Sequence, residues 1–424
     1  MHGRLSFWIA QLRERLWVKP LGYCLAAMGA VFAAWLADRI DHGLIVPLIT
    51  SETIEKLLTI ISSTMLAVAT FAVGSLVSAY ASASGSATPR AFALVVADGP
   101  SQTSLSSFIG AFIFSIVAII AVRTDLYQPT GLFVLFVLTL IIFAWVIGTF
   151  VRWVDNIARL GRVGNTIEKA EAAACSMIEA RCAQPFLGGR PADPDAPLSG
   201  RVIHAPDIGY ICYIDMKRLQ EVAEQADAEI EILALPGSFM APDRTLAIAA
   251  GSGGTVDDET AAAIASAVVN GDKRTFEEDP RFGVVVLSEI AARALSPGVN
   301  DPGTAITIID TMVRLLTRWA GCPRAAELSK PKFDQVRIPE LRTEDLFDDA
   351  FTAIARDGSG VVEIGIRLQS AFRSLASLGN AQMRTEARRH AQLALRRFET
   401  GLTLESDLVR VAVHAEALGA RRSG

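Results

Sequence analysis

Histidine and cysteine are scarce in this sequence, and neither is spaced as a catalytic or metal-binding set. The five histidines are His2, His42, His204, His390 and His414; no two stand four residues apart, and none falls near a cysteine at a metal-ligand spacing. The five cysteines, Cys24, Cys175, Cys182, Cys212 and Cys322, are odd in number, widely spaced and contain no C-x-x-C pair. They exclude a structural zinc and read as five small apolar residues in a reducing compartment. No G-x-S-x-G elbow is present, and no segment supplies a nucleophile, a base and an oxyanion site together. No catalytic residue, metal or cofactor is therefore expected. Neither sign of charge dominates: 40 Lys and Arg face 45 Asp and Glu, for a net charge of −5. A nucleic-acid-binding surface is not suggested.

What the sequence has instead is apolar length. Mean hydropathy is +0.36, and the apolar residues concentrate in the first third. Leu21–Ala37, Leu57–Tyr80, Leu105–Val122 and Leu132–Val151 are each near the roughly 20 residues that cross a bilayer. They contain essentially no ionisable side chain, which counts against an ion-coupled carrier. Arg4, Arg13, Arg15 and Lys19 precede the first span, and Arg152, Arg159, Arg162 and Lys169 follow the fourth. Between spans one and two stand Asp38, Asp41, Glu52 and Glu55. This asymmetry predicts a multi-pass membrane protein with its N-terminus and C-terminal part both cytoplasmic. Trp17, Trp35, Trp145 and Trp153 are expected at or near the interfaces.

Span two differs from the others. Thr70, Gly74, Ser78 and Ser82 recur every four residues and share one helix face. Such a stripe packs helices closely, or, in an oligomer of identical chains, lines a wetted path.

Beyond the spans, "QPFLGGRPADPDAPLSG" reads as a linker. Short β-prone runs then surround one amphipathic helix, "DMKRLQEVAEQA", in a small barrel-like arrangement. "AGSGGTVDDE" has the outline of a phosphate loop, but Asp257, Asp258 and Glu259 occupy the helix start and would repel a phosphate. After Thr343 four helices are predicted, approximately Glu344–Arg356, Val361–Leu378, Ala381–Phe398 and Leu404–Leu418.

The densest polar punctuation is "SPGVNDPGT", Ser296–Thr304, between two amphipathic helices. Pro297 and Gly298 stop the first helix; Asp301 and Pro302 are an N-cap and N1 pair for the second. Ser296, Asn300, Asp301 and Thr304 nevertheless offer more polar capacity than a corner needs. They are candidates for binding a small ligand or ion, or for docking on the membrane part through Arg90.

"TPRAFALVVADGPSQTSLSSFIGAFIF", "PGSFM" and "EDPRFGVVVLSEIAARALSPGVNDPGTA", followed by the helical tail, resemble the bacterial inner-membrane family catalogued as domain of unknown function 2254. The likeness covers nearly the whole chain, with "ALSPGVNDPGTA" as its most specific motif. It implies a membrane location and a shared architecture, and it brings no catalytic residue with it.

The expected fold is membrane α-helical, with four transmembrane helices plus a cytoplasmic α/β module and a mainly helical C-terminal domain. The expected divisions are a transmembrane domain at 1–160, a connecting helix and linker at 161–198, the barrel-like module at 199–275 and the helical domain at 276–424. The lipid bilayer and further copies of the chain are the expected partners. Two functions fit: an oligomeric channel or pore gated by the cytoplasmic part, or a membrane-anchored sensor or scaffold binding a ligand at Ser296–Thr304.

Overall fold

The computed structural model describes residues 17–39, 47–86, 88–96, 99–157, 162–193, 195–322 and 330–420. The chain divides into two compact units, Met1–Thr166 and Ile167–Gly424.

The first unit is helical: α1 (Val18–Arg39), α2 (Ser51–Ser86), α3 (Pro89–Val96), α4 (Gly99–Arg123) and α5 (Pro129–Ile157). Within α1, α2, α4 and α5, the segments Val18–Ala37, Ser51–Ala81, Pro100–Arg123 and Pro129–Ile157 are long and apolar enough to cross a membrane. They contain all four spans predicted from the sequence. Phe32, Phe71, Ile120 and Ile141 point outward with more than half their surface exposed, a surface suited to lipid and costly in water.

α4 is the most buried of the four and packs against α1, α2 and α5. Its buried side joins small residues, including Ser106, Ser107, Ala111, Ser115 and Ala118, to the rings of Phe108 and Phe114. Gly110 allows the closest approach, since a Cβ there would stand 3.0 Å from that of Tyr23. Ser106 and Ser115 donate to the carbonyls of Gln102 and Ala111, one turn earlier, at 2.6 and 2.9 Å. Their hydroxyls are thus satisfied without water. Close packing through small residues is therefore a property of α4 as well as a possibility for α2. Trp153, expected at or near an interface, turns inward within the helical unit. It is buried at 2% exposure beside the rings of Phe71, Phe108 and Phe150, because α5 turns that face toward α4.

The second unit begins with α6 (Val163–Ala183), whose first turn precedes the division. Next come β1 (Gly189–Pro191), β2 (Arg201–His204), β3 (Gly209–Ile214), α7 (Met216–Gln225), β4 (Ala228–Ile232), β5 (Phe239–Met240), β6 (Thr245–Gly251), α8 (Asp258–Ser266) and β7 (Val268–Gly271). α9 (Pro280–Ala294), α10 (Pro302–Ala320) and β8 (Phe333–Ile338) follow. The chain closes with α11 (Thr343–Asp357), α12 (Val362–Leu378), α13 (Ala381–Gly401) and α14 (Glu405–Glu416), near the four tail helices predicted.

The strands form a five-stranded sheet, β1-β8-β4-β6-β2, and a three-stranded sheet, β5-β3-β7. β8 runs parallel to β1 and β4, whereas β6 is antiparallel to β4 and β2. Two expectations change. The module is built on two open sheets, the larger with β1 and β2 at its edges, not on a barrel. It also draws strands from outside 199–275: β1 lies in the stretch read as a linker, and β8 lies within the region expected to be helical. Phe186 buried beneath β1, and Ala192 N donating to Ile338 O at 2.9 Å, tie that stretch down. Leu219 and Val222 of α7, Ile230 and Ile232 of β4, Leu246 of β6 and Val336 of β8 meet in the module's core.

α9 is buried almost all round, through Phe282, Val284, Val286, Leu287, Ile290 and Ala294. It packs on α10 and α11. The apolar density of "RFGVVVLSEIAARAL" therefore marks the centre of the unit and not one amphipathic stripe.

Cys182 and Cys322 form a disulfide, with Cα atoms 4.9 Å apart. The reading of five separate thiols is thereby corrected; Cys24, Cys175 and Cys212 are free. The bridge continues a seam between α6 and α10, where Arg314 bonds Glu171 at 2.7 Å through both Nε and Nη2, and Arg318 pairs with Glu179 at 2.9 Å.

Candidate functional site

The predicted Ser296–Thr304 loop is a self-contained corner. Asp301 caps α10, with Oδ1 accepting from Thr304 N at 3.1 Å and Oδ2 from the Thr304 hydroxyl at 2.6 Å. Those two bonds, the hydroxyl's first, hold the Asp301 carboxyl below the usual range. Ser296 Oγ donates to Arg293 O at 2.6 Å, and its carbonyl accepts from Val299 N and Asn300 N. Asn300 adopts φ +51°, which asparagine tolerates better than most residues. The loop brings Ser296, Asn300, Asp301 and Thr304 close in space, but it spends the hydrogen bonds of Ser296, Asp301 and Thr304 on itself. Arg90 stands exposed on α3 in the first unit.

On α2, Thr70, Gly74 and Ser78 are all exposed, and a Cβ at Gly74 would meet nothing within 4 Å. The face that packs within the unit carries Ala69, Ala72, Leu76 and Ala79 instead. Thr70 returns its hydroxyl to Leu66 O at 2.9 Å. The side chain of Ser82 lies outside the described residues. Among the described residues no group of three His, Cys, Asp or Glu is arranged to hold a metal.

A different place in the second unit gathers buried charge. The loop Leu233–Ser238, the segment around Arg274 and Arg281, the end of α6 and residues 339–345 enclose a cleft of about 270 Å³. Asp279, 3% exposed, orders several of the residues that line it. One carboxylate oxygen caps α9, accepting from Arg281 N at 3.1 Å and Phe282 N at 3.2 Å; the other takes Arg274 Nε at 2.7 Å. The "PG" of "PGSFM" sits directly against it. Gly237 has φ +92°, and any Cβ there would collide with the Asp279 carboxylate. Arg281 reaches away from the cap into a fork with Asp349, at 2.6 and 3.1 Å, and also bonds Asp345 at 3.2 Å.

Arg181 is the exception in this ordered cluster. It lines the cleft with 3% of its surface exposed. Nη2 donates to Glu278 O at 3.3 Å, while Nη1 is buried with no hydrogen-bond partner. Burial, opposed by Glu278 and Asp279, holds its pKa below the normal guanidinium value. Nearby, burial raises the Glu278 carboxyl to about 7, against the Ile214 N–H bond and Arg181, and with Glu277 and Asp215 reinforcing it.

Sequence reading missed Arg181, Arg274, Glu278, Asp279 and Arg281 as a set. The available signal was the pair of dense motifs "PGSF" and "EEDPRFG", which the fold brings together. Nothing in the sequence around Arg181 distinguishes it from any other arginine on an amphipathic helix.

Glu278 and His390 should leave opposite marks on stability. The Glu278 pKa is raised from 4.5 to about 7 on folding. The unfolded chain therefore releases its proton first, and the stability present below pH 4.5 is lost as pH rises toward 7. His390 is buried against Phe347, Phe351 and Phe372, 3.0 Å from Asp348. Burial and then Arg389 lower its pKa from 6.5 to about 4, so its contribution is present above 6.5 and lost as pH falls toward 4. The wild-type profile should consequently be flattened where the two windows overlap. Glu278→Gln is expected to give stability that climbs with pH from 4.5 to 6.5 in urea titrations; a profile parallel to wild type would refute the buried carboxyl.

The model of the family described as predicted membrane protein (DUF2254) matches residues 13–374, and the chain belongs to that family. Similar proteins include an uncharacterized protein of Mycobacterium bovis and one of Mycobacterium tuberculosis, each 29% identical over 119 residues. The matches cover 27% of this chain and 23% of each relative, so the chain spans under a quarter of their length. No solved structure matches.

Proposed function

We propose that this DUF2254 protein is a membrane-anchored sensor whose ligand binds in the cleft beside Arg181, in place of the Ser296–Thr304 loop. The observation that carries this reading is a cleft of about 270 Å³ lined in part by Arg181, Arg274, Arg281 and Arg342, with Arg181 itself nearly fully buried. A concave site walled by charged side chains and by the backbone of Leu233–Ser238 suits a small polar ligand. The Asp301 loop, by contrast, has spent its carboxylate on its own cap. In this reading the protein spans the inner membrane four times, with its N-terminus and second unit in the cytoplasm. The basic residues before the first span and after the fourth support that orientation.

The test is native mass spectrometry of the full chain released from mild detergent. A small molecule bound once per chain should be seen. It should be lost in Ser238→Trp, which fills the cleft from its wall while circular dichroism stays unchanged. Bare protein under every gentle condition, or an adduct equally retained by the tryptophan variant, would remove the cleft from the proposal.

A second reading rests on α2. The exposure of Thr70, Gly74 and Ser78 leaves a small-residue face open to another copy of the chain, as an oligomeric channel or pore would need. Ser78→Cys should then crosslink between chains, or react with a membrane-impermeant maleimide if the face is wetted. A thiol that does neither would leave this face to lipid.

A further inference from the structure

We infer that Cys182 and Cys322 are a thiol–disulfide switch that ties two walls of the cleft together; its role in regulating binding rests on the cleft being the ligand site. The pair stands where those walls are held. Cys182 directly follows Arg181, through which the end of α6 lines the cleft. Cys322 closes the last turn of α10, its N–H donating to Trp319 O at 3.1 Å. Trp319 in turn donates from Nε1 to Thr343 Oγ1 at 3.2 Å. Arg342 and Asp345, on either side of Thr343, line another part of the same cleft. The bond therefore joins the α6 wall to the 339–345 wall through one covalent link and one half-buried hydrogen bond. With the bond made, the two walls move together. With it broken, only the side chains of the α6–α10 seam hold them.

The setting suits a bond that opens and closes. Both cysteines are partly exposed, so a small thiol or disulfide reaches them. Arg314 with Glu171 and Arg318 with Glu179 bridge the same two helices without the sulfur atoms, which keeps the thiols in register after reduction. The other thiol on α6, Cys175, bonds Glu179 at 3.3 Å. Burial, then that bond, raises its pKa, so it competes poorly for exchange at neutral pH. With this unit on the cytoplasmic side, as proposed above, the resting state is the dithiol. The oxidant is a low-molecular-weight disulfide. One protein thiolate attacks a sulfur of that disulfide, forming a mixed disulfide and releasing one small thiolate. The second protein thiolate attacks the protein sulfur of the mixed disulfide and releases the other. Two electrons pass from the protein to the oxidant, and the protons of the two protein thiols end on the two released thiols. Oxidation preorganises the cleft in the shape described, so binding is tighter in the disulfide form.

The experiment is hydrogen exchange of the full chain in detergent, oxidised with glutathione disulfide or reduced with dithiothreitol, the bond being checked by non-reducing peptide mapping. Reduction should quicken exchange in residues 339–345 and at the end of α6 by roughly fivefold more than in the core strand β6. Trp319→Phe, which removes the donor to Thr343 and keeps the bond, should retain the change at α6 and lose it at 339–345. Cys182→Ser should exchange like reduced wild type whichever agent is present; Cys322→Ser serves if that variant does not fold. Walls that quicken no more than β6 would show a bond that only stabilises the unit, and would overturn the switch. So would a redox response that survives in Cys182→Ser, or one at 339–345 that is unchanged in Trp319→Phe. Binding is read by native mass spectrometry of the two redox forms. The molecule displaced by Ser238→Trp should fall in occupancy by about fivefold or more on reduction. Equal occupancy would leave the ligand site and overturn its regulation. No molecule in either form would remove the cleft as a ligand site, and the tie between its walls would then stand on exchange alone.

Discussion

Arg281→Met is expected to destabilise the second unit by about 3–5 kcal/mol. Arg281 joins the start of α9 to α11 through Asp349, on which it places two bonds, and through Asp345. Asp349 retains 16% of its side-chain surface, and burial pushes its carboxyl upward even with the arginine present. Removing the guanidinium strands that carboxylate; the lost pair matters less than the charge left behind. The double substitution Arg281→Met with Asp349→Leu should therefore recover much of the loss, since neither charge then remains buried. Hydrogen exchange of α9 and α11 in the full chain, for the two single variants and the pair, measures the coupling. A single-variant loss under about 1 kcal/mol, or a pair whose effects simply add, would show that the fork contributes little.

Cys182→Ser is expected to cost about 2–4 kcal/mol under oxidising conditions. The bridge spans 140 residues of sequence, and closing a loop of that length restricts the unfolded chain by up to about 5 kcal/mol in the chain-entropy account. Dithiothreitol should lower the stability of wild type to that of the variant and leave the variant unchanged. Maleimide found on Cys182 and Cys322 themselves in the non-reduced protein, by peptide mapping, would dispose of the bond; Cys24 and Cys175 are free and label in either case. The same labelling in intact cells bears on orientation. The distribution of basic residues predicts that the second unit faces a reducing compartment, whereas a standing disulfide is at home in an oxidising one. The cysteine count no longer supports the cytoplasmic side; the basic flanks of the spans carry that expectation alone. Finding the pair reduced in growing cells and oxidised after thiol stress would reconcile the two, with α6 and α10 tied only on oxidation.

Which features were legible follows from how far each one's cause lies along the chain. The four apolar helices, the tail helices and the Asp301 cap depend on residues within a few positions of one another, where periodicity and side-chain chemistry act directly. Partners far apart left no comparable trace. β1 joins β8 across about 140 residues, from a stretch whose prolines and glycines read as linker. Trp153 has the composition of an interface residue, yet its direction is set by how α5 meets α4. The stripe Thr70, Gly74, Ser78 could be drawn from spacing alone, but its exposure depended on which side of α2 the other helices occupy.

The sequence by itself determined an apolar helical first part, a mixed second part and its helical tail, because hydropathy and capping are local and additive. Only the tertiary structure decided where buried charge would gather. Arg181, Gly237, Asp279 and Arg281 come from three separate segments, and only the fold removes the water from Arg181 and leaves one of its nitrogens without a partner.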